Sequence, residues 1–87
     1  MSYRVDVPVQ VTCTMDTDGR IHPQRLRYRE QDSSITSGKV IRVAGQRQGE
    51  ESYALTYVVW ACFADSLESQ LVELSYCIRT HNWRLRK

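Results

Sequence analysis

The chain is poor in the residues that carry chemistry. Its 87 residues include two histidines, His22 and His81, and three cysteines, Cys13, Cys62 and Cys77. No Cys-x-x-Cys or His-x-x-x-His spacing links them, and a zinc site needs about four ligands in close array. No metal or other cofactor is therefore expected. A glycine-rich phosphate loop, a nucleophile elbow and a His/Asp/Ser pattern are all missing. Asp16 and Asp18 flank a glycine turn, where turn chemistry accounts for both. Paired carboxylates do acid–base work only where their surroundings drive their pKa values apart, and a hairpin tip leaves them solvated. The expectation is a protein that is not an enzyme.

Long apolar runs are missing as well. Met1-Ser2-Tyr3-Arg4 leads straight into an alternating segment, without the uninterrupted apolar stretch of a signal peptide. No stretch approaches the length of a membrane span, so no membrane partner is expected. Three widely spaced cysteines, an odd number, read as reduced thiols, and a cytoplasmic location is expected. Cys13 falls on an apolar parity and is expected to be buried and inert. Cys62 and Cys77 are expected to face outward, and Arg79 near Cys77 is a weak cue to an activated thiol.

What remains reads as one small folded domain over residues 1–87. A chain of this length buries only about 60–65% of the surface its unfolded form exposes, so its core is thin. The formal net charge of +2 demands no nucleic acid partner by itself. Its placement is more telling. Arg20, Arg25, Arg27 and Arg29 form one acid-free cluster, and Arg79, Arg84, Arg86 and Lys87 another, whereas the middle of the chain is acidic.

Alternation of period two marks the strands. Tyr3, Val5, Val7, Val9, Val11, Cys13 and Met15 alternate with polar residues; Pro8, on the polar face, requires an edge or a break in the ladder. Asp16-Thr17-Asp18-Gly19 predicts a hairpin turn with Gly19 at positive φ. A second strand runs from Arg20 to Arg29, and its change of parity predicts a bulge near Gln24-Arg25. Gln31–Ser34 reads as a turn, Ile35–Val43 as a third strand bending at Gly38, and 44–51 as a loop. Tyr53–Phe63 is apolar on both parities, with Leu55, Tyr57, Val59 and Phe63 on one face and Val58 and Trp60 on the other. Residues 65–78 allow two readings. Asp65 with Glu68 makes a helical capping box, with Leu67, Leu71, Leu74 and Ile78 at helical spacing; a strand over Leu71–Ile78 is preferred because its surroundings form a meander. Thr80-His81-Asn82 is a turn before a last strand in which Trp83 and Leu85 alternate with Arg84 and Arg86.

The run from Asp18 to Tyr28, Asp-Gly-Arg-Ile-His-Pro-Gln-Arg-Leu-Arg-Tyr, resembles the D-G-x-I-x-P-x-x-[IL]-x-[WY] hairpin of small Firmicutes-type β-barrel proteins. The resemblance extends to a Val-rich strand before the turn, a long aromatic strand and a late Trp, here Trp83. The chain departs from that pattern at Glu30–Ser33, where a glycine usually follows the aromatic. The resemblance implies a fold and no activity.

The expected fold is all-β: an antiparallel meander of five or six strands forming a small SH3-like or OB-like barrel or a half-open roll. The favoured function is a non-catalytic interaction module with a protein partner or a second copy of itself. Val58 and Trp60 are its candidate interface, unless another segment covers the Trp. The alternative is a nucleic-acid-binding barrel using Arg25, Arg27 and Arg29 with Arg84 and Arg86, if the two strands share one side. Tyr28 and Trp83 face inward on this register and offer no stacking platform.

Overall fold

The computed structural model of the chain describes residues 5–48, 53–63 and 66–87. They form β1 (Asp6–Met15), β2 (Ile21–Arg29), β3 (Ile35–Gln48), β4 (Ala54–Phe63), β5 (Ser69–Cys77) and β6 (Asn82–Arg86). All pair antiparallel in sequence order, and β6 returns to β1 to close a barrel. The expected all-β meander is thus present in its six-strand, closed form. No helix of the described residues is long and apolar enough to cross a membrane. Tyr3, Glu50, Glu51 and Asp65 lie outside the described residues.

Period two decides what fills the barrel. The inward set includes Val9, Leu26, Tyr28, Tyr57, Val59, Ala61, Phe63, Val72, Leu74, Trp83 and Leu85, all buried. Each large apolar side chain contributes roughly 1.5–3 kcal/mol by leaving water. Trp83 packs between Tyr57 and Tyr76, with ring centroids 5.7 and 4.8 Å away.

Closure depends on β1 serving two neighbours in turn. Asp6–Val9 pair with β6, and the pairing with β2 begins at Gln10. Val5 and Lys87 exchange both backbone bonds, at 2.8 and 3.0 Å. In the alternation of an antiparallel ladder, Pro8 opposite Arg84 then belongs to a pair without hydrogen bonds. Its nitrogen is turned away from β6, toward the side where β2 is not yet paired. The break anticipated at Pro8 is where the strand changes partner.

The predicted bulge in β2 is present: Thr12 pairs with Arg25 and Cys13 with Pro23, so Gln24 is the extra residue. The third strand is longer than its sequence suggests. β3 runs to Gln48 through two register shifts, between Val40 and Arg42 and between Val43 and Gly45. Each extra residue interrupts the alternation, so residues 44–48 look like loop while pairing with β4. Gly38 is not a bend. It faces Phe63, and a Cβ there would meet the ring at 2.9 Å and Leu26 at 3.4 Å. Residues 69–77 are strand, and Glu68 lies in a bend rather than in a helix cap. Cys13 is exposed, against expectation. The β1–β2 hairpin runs on past the barrel end, where the inward side meets the barrel mouth instead of core.

The first two turns are as read; the third spans Ile78–His81, so Ile78 falls outside β5 and Asn82 begins β6. Gly19 has φ 82°, and Asp16 accepts from the backbone N–H groups of Asp18 and Arg20. Ser33 takes φ 72°, steadied by Asp32 accepting from Ser34 N–H and Oγ.

Candidate functional site

The barrel closes, but β3 meets β2 only over Ile35–Lys39 and has β4 alone beside it beyond that; the candidate contacts stand on the outer faces. Outward residues of neighbouring strands line up in rows across the hydrogen bonds. One row is Arg42 on β3, Trp60 on β4 and Leu71 on β5; the next is Gly45, Val58 and Glu73. The β3 bulge adds Ile41 beside Arg42. Ile41 is 57% exposed and Leu71 51%, and Trp60 lies half-buried between them. Ile41, Arg42, Trp60 and Ser69 line a shallow hollow of about 390 Å³. Every described strand is part of the barrel wall, and none crosses over Trp60. Val58 and Trp60 share this face as expected; Ile41 and Leu71 complete it. Sequence reading missed both because Ile41 depends on a bulge and Leu71 on the β4–β5 register.

Beside the apolar row runs an ionic one. Arg84 donates to Asp6 Oδ1 at 2.8 Å and to its carbonyl at 3.0 Å, Arg86 Nε lies 3.5 Å from Asp6 Oδ2, and Arg47 pairs with Glu73. The Arg84 hydrogen bond holds the Asp6 carboxyl below the usual carboxylate range against a smaller opposing effect of burial, with both guanidinium charges helping.

The third surface is basic. Arg25, Arg27 and Arg29 project from the outer face of β2, all exposed. Lys39 on β3 lies opposite Arg25, and Ser37 opposite Arg27. On the other flank, Thr12 faces Arg25 and Gln10 faces Arg27. No acid among the described residues forms an ion pair with these four cations. The outward parity of Lys39, next to inward Val40, was the signal that could have added it to the arginines. Where β1 leaves β2 for β6, a groove of about 980 Å³ opens, lined among others by Pro8, Gln10, Arg27, Arg29 and Arg84. Closure thus brings Arg84 to the β2 arginines, but already held by Asp6. Arg86 lies farther off, in the row of Glu73. Tyr28 and Trp83 also line that groove, but both are buried, as expected, and neither stands on the outer face with the arginines.

The remaining reactive groups serve local structure. His22 Nε2 lies 3.0 Å from Asp16 Oδ2. That contact, with the Arg20 and Asp18 backbone donors, keeps the Asp16 carboxyl below its ordinary range. Turn chemistry accounts for Asp16 as expected, but its carboxyl, expected to be unshifted, is lowered by these donors. His81 adopts φ 61° and its Nδ1 is 2.8 Å from Tyr76 Oη. Cys62 donates to the Ser66 carbonyl at 3.0 Å. Cys77 lines the groove; the Thr80 hydroxyl and N–H, then the Arg79 backbone and charge, lower its thiol from the ordinary value. Among the described residues, no three His, Cys, Asp or Glu side chains converge as a metal site would require. No protein-family model, curated protein or solved structure matches the chain.

Proposed function

We propose that this barrel is a non-catalytic interaction module whose contact face is the Trp60 face of β3–β5, and that its partner is a second copy of the chain. The observation that carries the reading is the row Ile41–Trp60–Leu71, apolar and uncovered on the outside of a domain with little apolar material to spare. Trp is the residue type most enriched at the energetic centre of interfaces.

A second copy fits for two reasons. The apolar row lies on the outer face of the barrel wall, so a second copy can meet it face to face. A two-fold axis running along β4 then lays β3 of each protomer over β5 of the other. At equal height along β4 this sets Trp60 against Trp60 and Arg42 over Leu71, the outer end of the apolar row, of the other protomer.

The test is solution mass by light scattering or sedimentation. The wild type should behave as a dimer, and Trp60→Glu as a folded monomer with an unchanged far-ultraviolet β spectrum. A wild type that stays monomeric at the highest concentration it tolerates defeats the proposal. Loss of the fold in Trp60→Glu would mean that Trp60 is structural, and Leu71→Glu, at a more exposed position, then takes its place in the mass measurement.

A further inference from the structure

We infer that the face formed by β1, β2 and β3 is a binding site for the sugar–phosphate backbone of duplex nucleic acid, separate from the Trp60 face. Its cations are Arg25, Arg27, Arg29 and Lys39; Arg84 and Arg86 do not belong to it.

Arg25, Arg27 and Arg29 alternate along one strand, so their side chains emerge about 6.5–7 Å apart on a single line. Lys39 extends that line sideways onto β3, one strand spacing of about 4.8 Å away. Gln10, Thr12 and Ser37 fill the outward positions between and beside them. They add hydrogen-bonding groups and no negative charge. Gln10, Thr12, Arg25, Arg27 and Ser37 share a shallow hollow of about 240 Å³, into which a phosphate could settle.

Arg84 and Arg86 differ in kind. Asp6 neutralises Arg84 through a carboxylate and a carbonyl contact and also lies beside Arg86. A phosphate approaching either would have to compete with a carboxylate already in place.

The chemistry of the face selects the form of the nucleic acid. Single-strand readers combine cations with aromatic platforms on which bases stack. Here Tyr28, Phe63 and Trp83 point inward, and Trp60 stands on a different face. Among the described residues no exposed ring stands on this face, Tyr28 and Trp83 reaching only the floor of the neighbouring groove, so the favourable contact is with phosphates held outward by a duplex. Such contacts give affinity without sequence choice.

Four cations each neutralising one phosphate give a slope of log Kobs against log salt of about −3.6, a loss of about 150-fold between about 50 and 200 mM salt. The experiment is anisotropy titration of a labelled DNA duplex across that range, with the single strand of equal length and anionic phospholipid vesicles as parallel arms. The duplex should bind more tightly than the single strand, with little dependence on base sequence. The R25Q/R27Q/R29Q triple variant should reduce the slope to about −0.9, and Lys39→Gln alone should reduce it by about 0.9. Arg86→Gln should leave it unchanged. All three variants should keep the oligomeric state of the wild type, which separates this result from that of the Trp60 test. Absence of duplex binding at low salt overturns the inference. So does tighter binding of the single strand, capture by vesicles but not by duplex, or a slope that ignores the three arginines.

Discussion

Gly38→Ala should destabilise the barrel, although Gly→Ala in a strand ordinarily helps. Glycine inside a strand costs roughly 0.5–1 kcal/mol relative to alanine, through the freedom its unfolded chain gives up. At this position the new methyl would stand 2.9 Å from both Cδ1 and Cε1 of Phe63 and 3.4 Å from Leu26 Cγ. Carbon atoms in ordinary contact lie about 3.5–4.0 Å apart, so the ring must retreat by more than half an ångström. It has little room. Phe63 is buried, meets Tyr28 edge-on at 6.3 Å, and carries the Lys87 ammonium 4.4 Å from its centroid. Overpacking of this kind costs about 1–3 kcal/mol, which outweighs the entropic gain. A net loss of about 1–2 kcal/mol should lower the urea midpoint and shift Tm down by about 4–8 °C per kcal/mol. Adding Phe63→Leu should recover part of the loss, because the two changes share one contact and do not add. A Gly38→Ala variant as stable as the wild type would show that Gly38 is not fixed by the ring it faces.

Ser33→Gly should raise stability by about 0.5–1 kcal/mol in the same urea assay, because Ser33 holds φ 72° in a turn to which it contributes its backbone N–H, donated to the Glu30 carbonyl. Cys77 should be alkylated at a lower pH than the same cysteine in the unfolded chain, since the donors of Thr80 and Arg79 favour its thiolate. Thr80→Val should move the midpoint of that pH–rate profile back up, and an unmoved midpoint would refute the role of the hydroxyl.

Local alternation made much of the wall legible. It placed Val9 and Val11 against Gln10 and Thr12, Trp83 and Leu85 against Arg84 and Arg86, and both faces of β4 on their correct sides. It also located the bulge at Gln24, because a parity change is visible wherever apolar residues stand on either side of it. The same signal failed in β3. Ile41 and Ala44 are extra residues, and Ala44 stands only four positions from the strand's polar end at Gln48, so no apolar run is left on which to re-establish parity. What holds 46–48 in the sheet is pairing with Leu55–Tyr57, a relation between segments that the composition of neither reveals. The exposure of Cys13 was equally hidden, since parity tells which side a residue faces and not whether the barrel still extends beneath it. The basic face was half legible: the line of Arg25, Arg27 and Arg29 was visible, but the register that adds Lys39 was not. The contact that removes Arg84 joins positions 78 residues apart.

That long-range contact changes the meaning of the net charge. A formal +2 spread evenly over 87 residues would be electrostatically unremarkable. The fold distributes it otherwise. Asp6 and Glu73 are committed to the arginines of β3 and β6, while Asp16 and Asp32 are occupied as turn acceptors and Glu30 accepts from Thr36. Arg79 lies over the Tyr53 ring, and Lys87 over Phe63 and Tyr28 at the barrel end. Charges thereby cancel where β6 meets β1 and β5. Arg25, Arg27, Arg29 and Lys39 stand together on one face without an ion pair to a described acid. Local charge density, not the sum, sets how strongly a polyanion is attracted at a given salt concentration. Releasing Arg84 by Asp6→Asn would widen that field into the groove it shares with Arg27 and Arg29. Asp6 therefore does two things at once: it ties β6 to β1 where the barrel closes, and it marks where the basic face ends.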